Sequence, residues 1–153
     1  MKLASINGLW NEFRKNNSQA PEKYVAWAFG DTDEMADELA RLVRNGTKTA
    51  TYSLFFMYLL ENEKLPYVGE HNIILDGDGH AVAIVETTTV EIIPFYKVSE
   101  RHAYLEGEGD RSLAYWRKVH QEFFSKELQE IGKEFDPKML IVCEEFKLVY
   151  VKE

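Results

Sequence analysis

His71-Asn72-Ile73-Ile74-Leu75-Asp76-Gly77-Asp78-Gly79-His80-Ala81-Val82-Ala83-Ile84-Val85 is an apolar run, a turn and a second apolar run. Asp-Gly pairs between such segments signal a tight hairpin, because glycine supplies the positive φ that these turns demand. His71 to Leu75 therefore reads as one strand, and the chain returns through Ala81 to Val90. Glu91-Ile92-Ile93-Pro94-Phe95-Tyr96-Lys97-Val98 extends the second arm, with Pro94 marking an edge or a bulge. A calcium loop is the other reading of Asp76-Gly77-Asp78-Gly79-His80. It lacks the glycine required at the sixth position and the glutamate at the twelfth, which is Thr87. The turn is a hairpin, and it commits the domain to an antiparallel sheet.

On the N-terminal side of the hairpin, Ile6, Leu9, Trp10 and Phe13 recur at helical spacing. They predict an amphipathic helix from Ile6 to Lys15, inside a helical extension that covers residues 1–20. Tyr24-Val25-Ala26-Trp27-Ala28-Phe29 is aromatic-rich and ends at Gly30, which suits a strand. Asp31-Thr32-Asp33-Glu34 caps a helix to about Arg44, with Met35, Leu39, Leu42 and Val43 on one face and Gly46 as its stop. Tyr52-Ser53-Leu54-Phe55-Phe56-Met57-Tyr58-Leu59-Leu60 suits either a helix or a buried strand, and its length with Glu61-Asn62-Glu63-Lys64 behind it favours a helix.

On the other side, Ser99 caps a short helix from Glu100 to Leu105. Leu113, Trp116, His120, Phe123 and Glu127 mark a long helix from Ser112 to about Ile131, closed by Gly132 and Pro137. Met139 to Val151 alternates as a last strand. Without an internal repeat or linker, residues 1–153 form one α+β domain. Its predicted architecture is a curved antiparallel sheet or small β-barrel with helices packed around it.

Composition sets outer limits. With 45% apolar and 13% aromatic residues, the chain is neither disordered nor low in complexity. No apolar run approaches the ~20 residues of a membrane span, and the start has no hydrophobic region of a signal peptide. A soluble, cytoplasmic protein is expected. Cys143, the single cysteine, has no internal disulfide partner and reads as a buried structural thiol. The net charge of −8, from 26 acids against 18 Lys plus Arg, argues against a broad basic face for nucleic acid or non-specific DNA binding. A nucleotide-sized site remains compatible with it.

Two stretches carry candidate chemistry. In Tyr104-Leu105-Glu106-Gly107-Glu108-Gly109-Asp110-Arg111-Ser112-Leu113, acids alternate with glycines just before the long helix. Acids are favoured at a helix N-terminus in any case. Glu106, Glu108 and Asp110 are also a possible set of ligands for a divalent cation such as Mn or Mg. His102 and His120 flank the loop, and a lone histidine on an apolar face is more often structural than a ligand. The second stretch is Gly46-Thr47-Lys48-Thr49-Ala50-Thr51. A lysine in a tight, partly buried turn serves as a base or phosphate ligand, with a nearby threonine as nucleophile. The residues alone favour a solvated loop lysine.

Gly46-Thr47-Lys48-Thr49-Ala50-Thr51 resembles the Gly-x-Lys-Thr-x-Thr signature of ASCH domains, a branch of the PUA-like superfamily. Glu106-Gly107-Glu108-Gly109-Asp110-Arg111-Ser112-Leu113, followed by Tyr115-Trp116-Arg117, His120 and Phe123-Phe124, resembles a long bacterial subgroup of it. The similarity runs from about Trp27 to Val151. It implies a PUA-like barrel with flanking helices, and a cleft between the Lys48 turn and the Glu106 loop. PUA-like relatives bind RNA or modified bases. One short ASCH subgroup hydrolyses the acetyl amide of N4-acetylcytidine with a lysine, a threonine and a glutamate, and another member is a metal-dependent ribonuclease.

Carried onto this chain, the resemblance implies Lys48, Thr51 and Glu106 as catalytic residues, the glutamate because His102-Ala103-Tyr104-Leu105-Glu106 matches a His-Ala-x-x-Glu pattern. Lys48 would take the proton of Thr51, which attacks the acyl carbon, while Glu106 relays a proton to the leaving amine. Thr49, Tyr52, Glu108, Asp110, Arg111, Ser112 and Trp116 would shape the ligand pocket. The chain departs from the short subgroup in its N-terminal extension, its 52–64 insert, the Gly-Glu-Gly-Asp continuation and Tyr52 in place of a basic residue. The implied function is a hydrolase acting on RNA or a modified nucleoside. The alternative is a non-catalytic binding module in which Tyr52, Tyr104 and Trp116 stack a base.

Overall fold

The computed structural model describes residues 1–153. In chain order the first elements are α1 (Leu3–Lys15), β1 (Val25–Ala28), α2 (Asp33–Arg44), β2 (Ala50–Leu54) and α3 (Phe55–Glu61). Then come β3 (His71–Leu75), β4 (Ala81–Pro94), a single 3₁₀ turn at Phe95–Lys97, α4 (Glu100–Glu106), α5 (Leu113–Gln129) and β5 (Leu140–Val151). The hairpin between β3 and β4 forms as expected. Asp76 Oδ1 accepts from the backbone N–H groups of Asp78 and His80 at 3.0 and 2.9 Å, and Gly79 has a φ of +83°.

The five strands make one sheet in the order β1-β3-β4-β5-β2. All pairs are antiparallel except β1 with β3. That exception is permitted by the connection between them, which runs through α2, β2 and α3 and is long enough for a parallel crossover. β4 and β5 are the long central pair, and register shifts between Ile84 and Val85 and between Thr87 and Thr89 bend them. Such bulges increase local twist, which curls the sheet into a half-barrel. Pro94 terminates β4, where its missing N–H interrupts no ladder.

One sequence expectation is corrected. The segment from Tyr52 is not helical from its start, because Ala50–Leu54 is strand β2 and α3 begins only at Phe55. The deciding signal has a period of two. Ala50, Tyr52 and Leu54 are buried while Thr51 and Ser53 are half-buried, and the strand pairs with β5 from Ala50↔Glu145 to Leu54↔Ile141. Pairing with a partner ninety residues away decides what local propensity leaves open.

Helices cover both faces of the sheet. α1 packs Ile6, Leu9, Trp10 and Phe13 against Ile73, Leu75 and Ile84. α2 packs Leu39, Ala40 and Val43 against Ile74, Ala83, Val85 and Phe146. Ile73 and Ile74 thus point to opposite faces, as strand alternation requires. The third cluster lies between β2, β5 and the helices α4 and α5, and includes Tyr52, Phe95, Trp116, Phe124, Leu128 and Cys143. It is the floor on which the candidate site sits. No helix is long and apolar enough to cross a membrane.

Candidate functional site

Lys48 follows α2 by one short turn, and its side chain enters the protein instead of water. This overturns the solvated-loop reading: the residue is 2% exposed. The reason is a full set of acceptors. Lys48 Nζ donates to Ala50 O at 2.9 Å, to Glu108 Oε2 at 2.8 Å and to Glu106 O at 3.4 Å. The ring of Phe29 adds a cation–π contact at 5.0 Å from its centroid. An ammonium has three N–H donors, and all are used. A buried charge that is paired and hydrogen-bonded is the form in which burial is tolerated.

The acidic loop is pressed onto this turn by its glycines. Gly107 follows α4 with a φ of +80°, and a Cβ there would lie 2.5 Å from the carbonyl oxygen of Thr47. Only glycine allows so close an approach. Thr49 fastens the same junction, since both its N–H and its Oγ1 donate to Leu105 O, at 2.8 and 3.2 Å. Glu106 is consequently buried, at 2% exposure.

Glu106 Oε2 lies 2.6 Å from His120 Nε2. The other ring nitrogen, Nδ1, faces the Trp116 carbonyl at 2.9 Å. A carbonyl only accepts, so Nδ1 carries a hydrogen. A carboxyl oxygen and an imidazole nitrogen are thus in direct contact. Trp116 stacks on His120 with centroids 4.3 Å apart, and Tyr52 meets the same imidazole edge-on at 5.6 Å. These rings hold His120 in place. Burial pushes the Glu108 carboxyl above the ordinary carboxylate range; the Lys48 ammonium opposes that rise and the Glu106 charge adds to it.

Lys48 therefore meets Glu108 and the Glu106 carbonyl, at the junction of turn and loop that the resemblance implied, and His120 contacts Glu106 as a polar partner. The sequence signals for His120 were its place in the stretch that carries the family resemblance and its position one helical turn after Trp116. Thr51 is placed elsewhere. It alternates with Ala50 and Tyr52 along β2 and stands on the opposite face, paired in register with Glu144. No hydrogen bond joins it to Lys48. Tyr52 and Trp116 are 7% and 1% exposed, within the core beneath the cluster. Tyr52 donates its hydroxyl to His102 O at 2.5 Å, and burial followed by the nearby Glu106 raises its phenol well above the ordinary value.

The rest of the loop makes hydrogen bonds within the protein. Asp110 Oδ1 accepts from the N–H of Ser112, and hydrogen bonds from the Ser112 hydroxyl and backbone lower its carboxyl. Ser112 Oγ caps α5 by accepting from Tyr115 N at 3.0 Å. Arg111 donates to Tyr104 O at 3.0 Å and lies 3.7 Å over the Tyr104 ring. Glu106, Glu108 and Asp110 are turned toward His120, Lys48 and Ser112 respectively, so they do not converge as a cage for Mn or Mg. The one trio of ligand-type side chains with donor atoms within 4.8 Å is Asp76, Asp78 and His80, at the hairpin tip.

A groove of about 390 Å³ runs between α2 and the loop, lined among others by Glu34, Met35, Leu39, Leu42, Glu108 and Tyr115. It reaches the outer side of the Lys48–Glu108 pair. Its floor is apolar and its rim acidic.

A family model described as ASCH domain matches residues 25–150. The chain belongs to the ASCH domain family. The crystal structure of an ASCH domain from Lactobacillus crispatus JV V101 is similar at 35% identity and a TM-score of 0.92, covering 98% of this chain and 96% of that one. A protein from Enterococcus faecalis V583 is similar at 39% identity and a TM-score of 0.88, covering 98% of this chain and 91% of that one. A third solved chain, described as a hypothetical protein, shares 17% identity with a TM-score of 0.54 and bears on the fold alone. No curated protein matches. The curled five-stranded half-barrel and its five helices are thus the ASCH fold.

Proposed function

We propose that this ASCH domain is a cytoplasmic hydrolase directed at RNA or a modified nucleoside, working through Lys48, Glu106, Glu108 and His120. One observation carries the reading: two carboxyls face two nitrogen bases in a buried cluster beside an apolar-floored groove. A carboxyl set against an imidazole at 2.6 Å suits general acid–base work. Lys48 supplies fixed positive charge in a low-dielectric setting, where it stabilises a developing oxyanion most.

The bond cleaved in this scheme is an acyl amide. A water oxygen attacks the acyl carbon and gives one proton to Glu106. The carbonyl π pair moves to oxygen, whose negative charge is stabilised by Lys48. Collapse expels the amine, which takes its proton from His120. Acid and free amine are the products. Water is the nucleophile in this scheme because Thr51 stands on the far face of β2. Tyr104, at 55% exposure beside Arg111, is the aromatic of the loop best placed to meet a base. The acidic rim and the net charge of −8 favour a neutral nucleoside over a phosphate-rich strand.

Incubation with N4-acetylcytidine, other acylated nucleosides and short RNAs, followed by chromatography, tests the proposal. Turnover that falls about 10²–10⁴-fold in Glu106→Gln, with retained folding, is expected. No turnover on any of these substrates overturns it. A second reading, a base-binding module without catalysis, is favoured by the saturation of all three Lys48 donors. Binding of a nucleoside without turnover, weakened by Tyr104→Ala, supports that reading.

A further inference from the structure

The opposite face of β2 and β5 holds a second buried acid that the scheme above does not use. Trp27 Nε1 donates to Asn72 Oδ1 at 3.0 Å, which fixes the orientation of that amide. Asn72 Nδ2 then donates to Thr87 Oγ1 at 3.2 Å and to Glu70 O at 3.2 Å. Thr87 Oγ1, already an acceptor, passes its own hydrogen to Glu144 Oε1 at 2.8 Å. Asn72, Thr87 and Glu144 are 2%, 0% and 7% exposed. Every donor in the series points the same way, and Glu144 is where it ends.

One oxygen is left over. Glu144 Oε2 has no partner in the protein, and no lysine, arginine or histidine is paired with Glu144 or with Glu70. Around it are half-buried polar groups. Thr51 is the register partner of Glu144, and Ser53, two residues on and on the same face, shares a 2.8 Å hydrogen bond with the Tyr58 hydroxyl. Burial raises the carboxyls of Glu144 and Glu70 and the Tyr58 phenol, and the Glu70 charge acts on both of the others. The face therefore offers acceptors, two carboxyls of which one has an oxygen with no donor from the protein, and no cation to balance them. A carboxyl held on one side by a fixed hydrogen bond and open on the other is preset to accept an N–H donor there.

We infer that the Glu144 face is a second ligand site, one that takes an organic cation with N–H donors, an ammonium or an amidinium. The ligand places its N–H on Glu144 Oε2 and its charge between Glu144 and Glu70, while Thr51 and the Ser53–Tyr58 pair accept its remaining hydrogens. A purely structural acid makes a different forecast, because Gln at position 144 keeps the Thr87 bond and removes the uncompensated charge. The site is independent of the Lys48 cluster and of the hydrolase reading.

Putrescine and benzamidine, titrated calorimetrically into the intact protein, test the inference and separate the ammonium from the amidinium source. Saturable binding of at least one probe at millimolar concentration or below is expected, with affinity reduced at least tenfold in Glu144→Gln and severalfold in Glu70→Gln. Circular dichroism verifies that each variant is folded. Glu70→Gln, at a half-buried position, keeps the test open if Glu144→Gln does not fold. Absence of saturable binding of both probes overturns the inference, as does equal binding by wild type and a folded variant.

Discussion

Replacing Glu108 by glutamine leaves the Lys48 ammonium buried with two carbonyl acceptors and no counter-charge. At the observed 2.8 Å, and with an effective dielectric of about 20, the gross attraction of the pair is ~6 kcal/mol. Much of that is offset by desolvation, and Glu108 retains 17% side-chain exposure against 1% for Lys48. Removing one partner of a buried pair costs about 3–5 kcal/mol, and the partial exposure of Glu108 puts Glu108→Gln at the lower end, about 3 kcal/mol. For a chain of 153 residues each kcal/mol moves Tm by about 2–4 °C, giving a fall of about 6–12 °C. Lys48→Met should cost less, because the carboxylate left behind can turn toward water. The double variant should be more stable than Glu108→Gln, because the stranded cation is gone. Urea unfolding of the wild type, both singles and the double yields the coupling directly, about 2–3 kcal/mol. A coupling under about 0.5 kcal/mol, with unchanged m-values, would refute the assignment of this pair as the electrostatic centre of the site.

Other outcomes follow from single features. Gly107→Ala meets the Thr47 carbonyl and a φ of +80°, so a loss of about 1–3 kcal/mol in urea unfolding is expected. Gly8→Ala, in helix α1 with nothing within 4 Å of the new Cβ, should instead gain about 0.5–1 kcal/mol. Burial pushes the Cys143 thiol up to about 12, so a disulfide reagent should modify it only at the rate of unfolding. Burial also holds the Glu144 carboxyl above its ordinary 4.5, so the native state binds more protons than the unfolded chain just above that value. The corresponding stability is present below the ordinary range and is lost as pH rises through the native value. In Glu144→Gln, unfolding free energy from about pH 4 to about pH 8 should therefore fall less than in wild type, and an equal fall would count against it.

The parts of the fold that were legible in the sequence are those fixed by short-range chemistry. Asp76-Gly77-Asp78-Gly79 specifies its turn through the conformations glycine permits. Thr32 and Gly46 bracket α2 because a helix end needs acceptors at one terminus and a left-handed residue at the other. β2 was not legible, since Tyr52–Leu60 satisfies two periods at once and only the alignment with β5 chooses between them. The parallel partner of β1 was hidden for the same reason. In the site, the meeting of Lys48 with Glu106 and Glu108 was foreshadowed by family resemblance, whereas the depth of Lys48 was not. A lysine looks solvated until the carbonyls that receive it are in place, and one of those, Glu106 O, lies 58 residues further along the chain. The Trp27–Asn72–Thr87–Glu144 series depends on contacts between distant strands, which no local pattern encodes.

The strand order has a consequence for how the protein is made. β5 lies between β4 and β2, so residues 140–151 supply hydrogen-bond partners to both neighbours. On the ribosome, β2 has left the exit tunnel long before β5 is synthesised, and until then its edge is unpaired. The half-barrel therefore cannot close progressively from the N-terminus, and closure waits for the last strand. Non-local pairing of this kind is slow and leaves sticky edges exposed. The nascent chain should consequently depend on chaperone protection, and an arrest peptide joined to Val151 through a linker that spans the exit tunnel should report folding that the same linker joined at Pro137 does not.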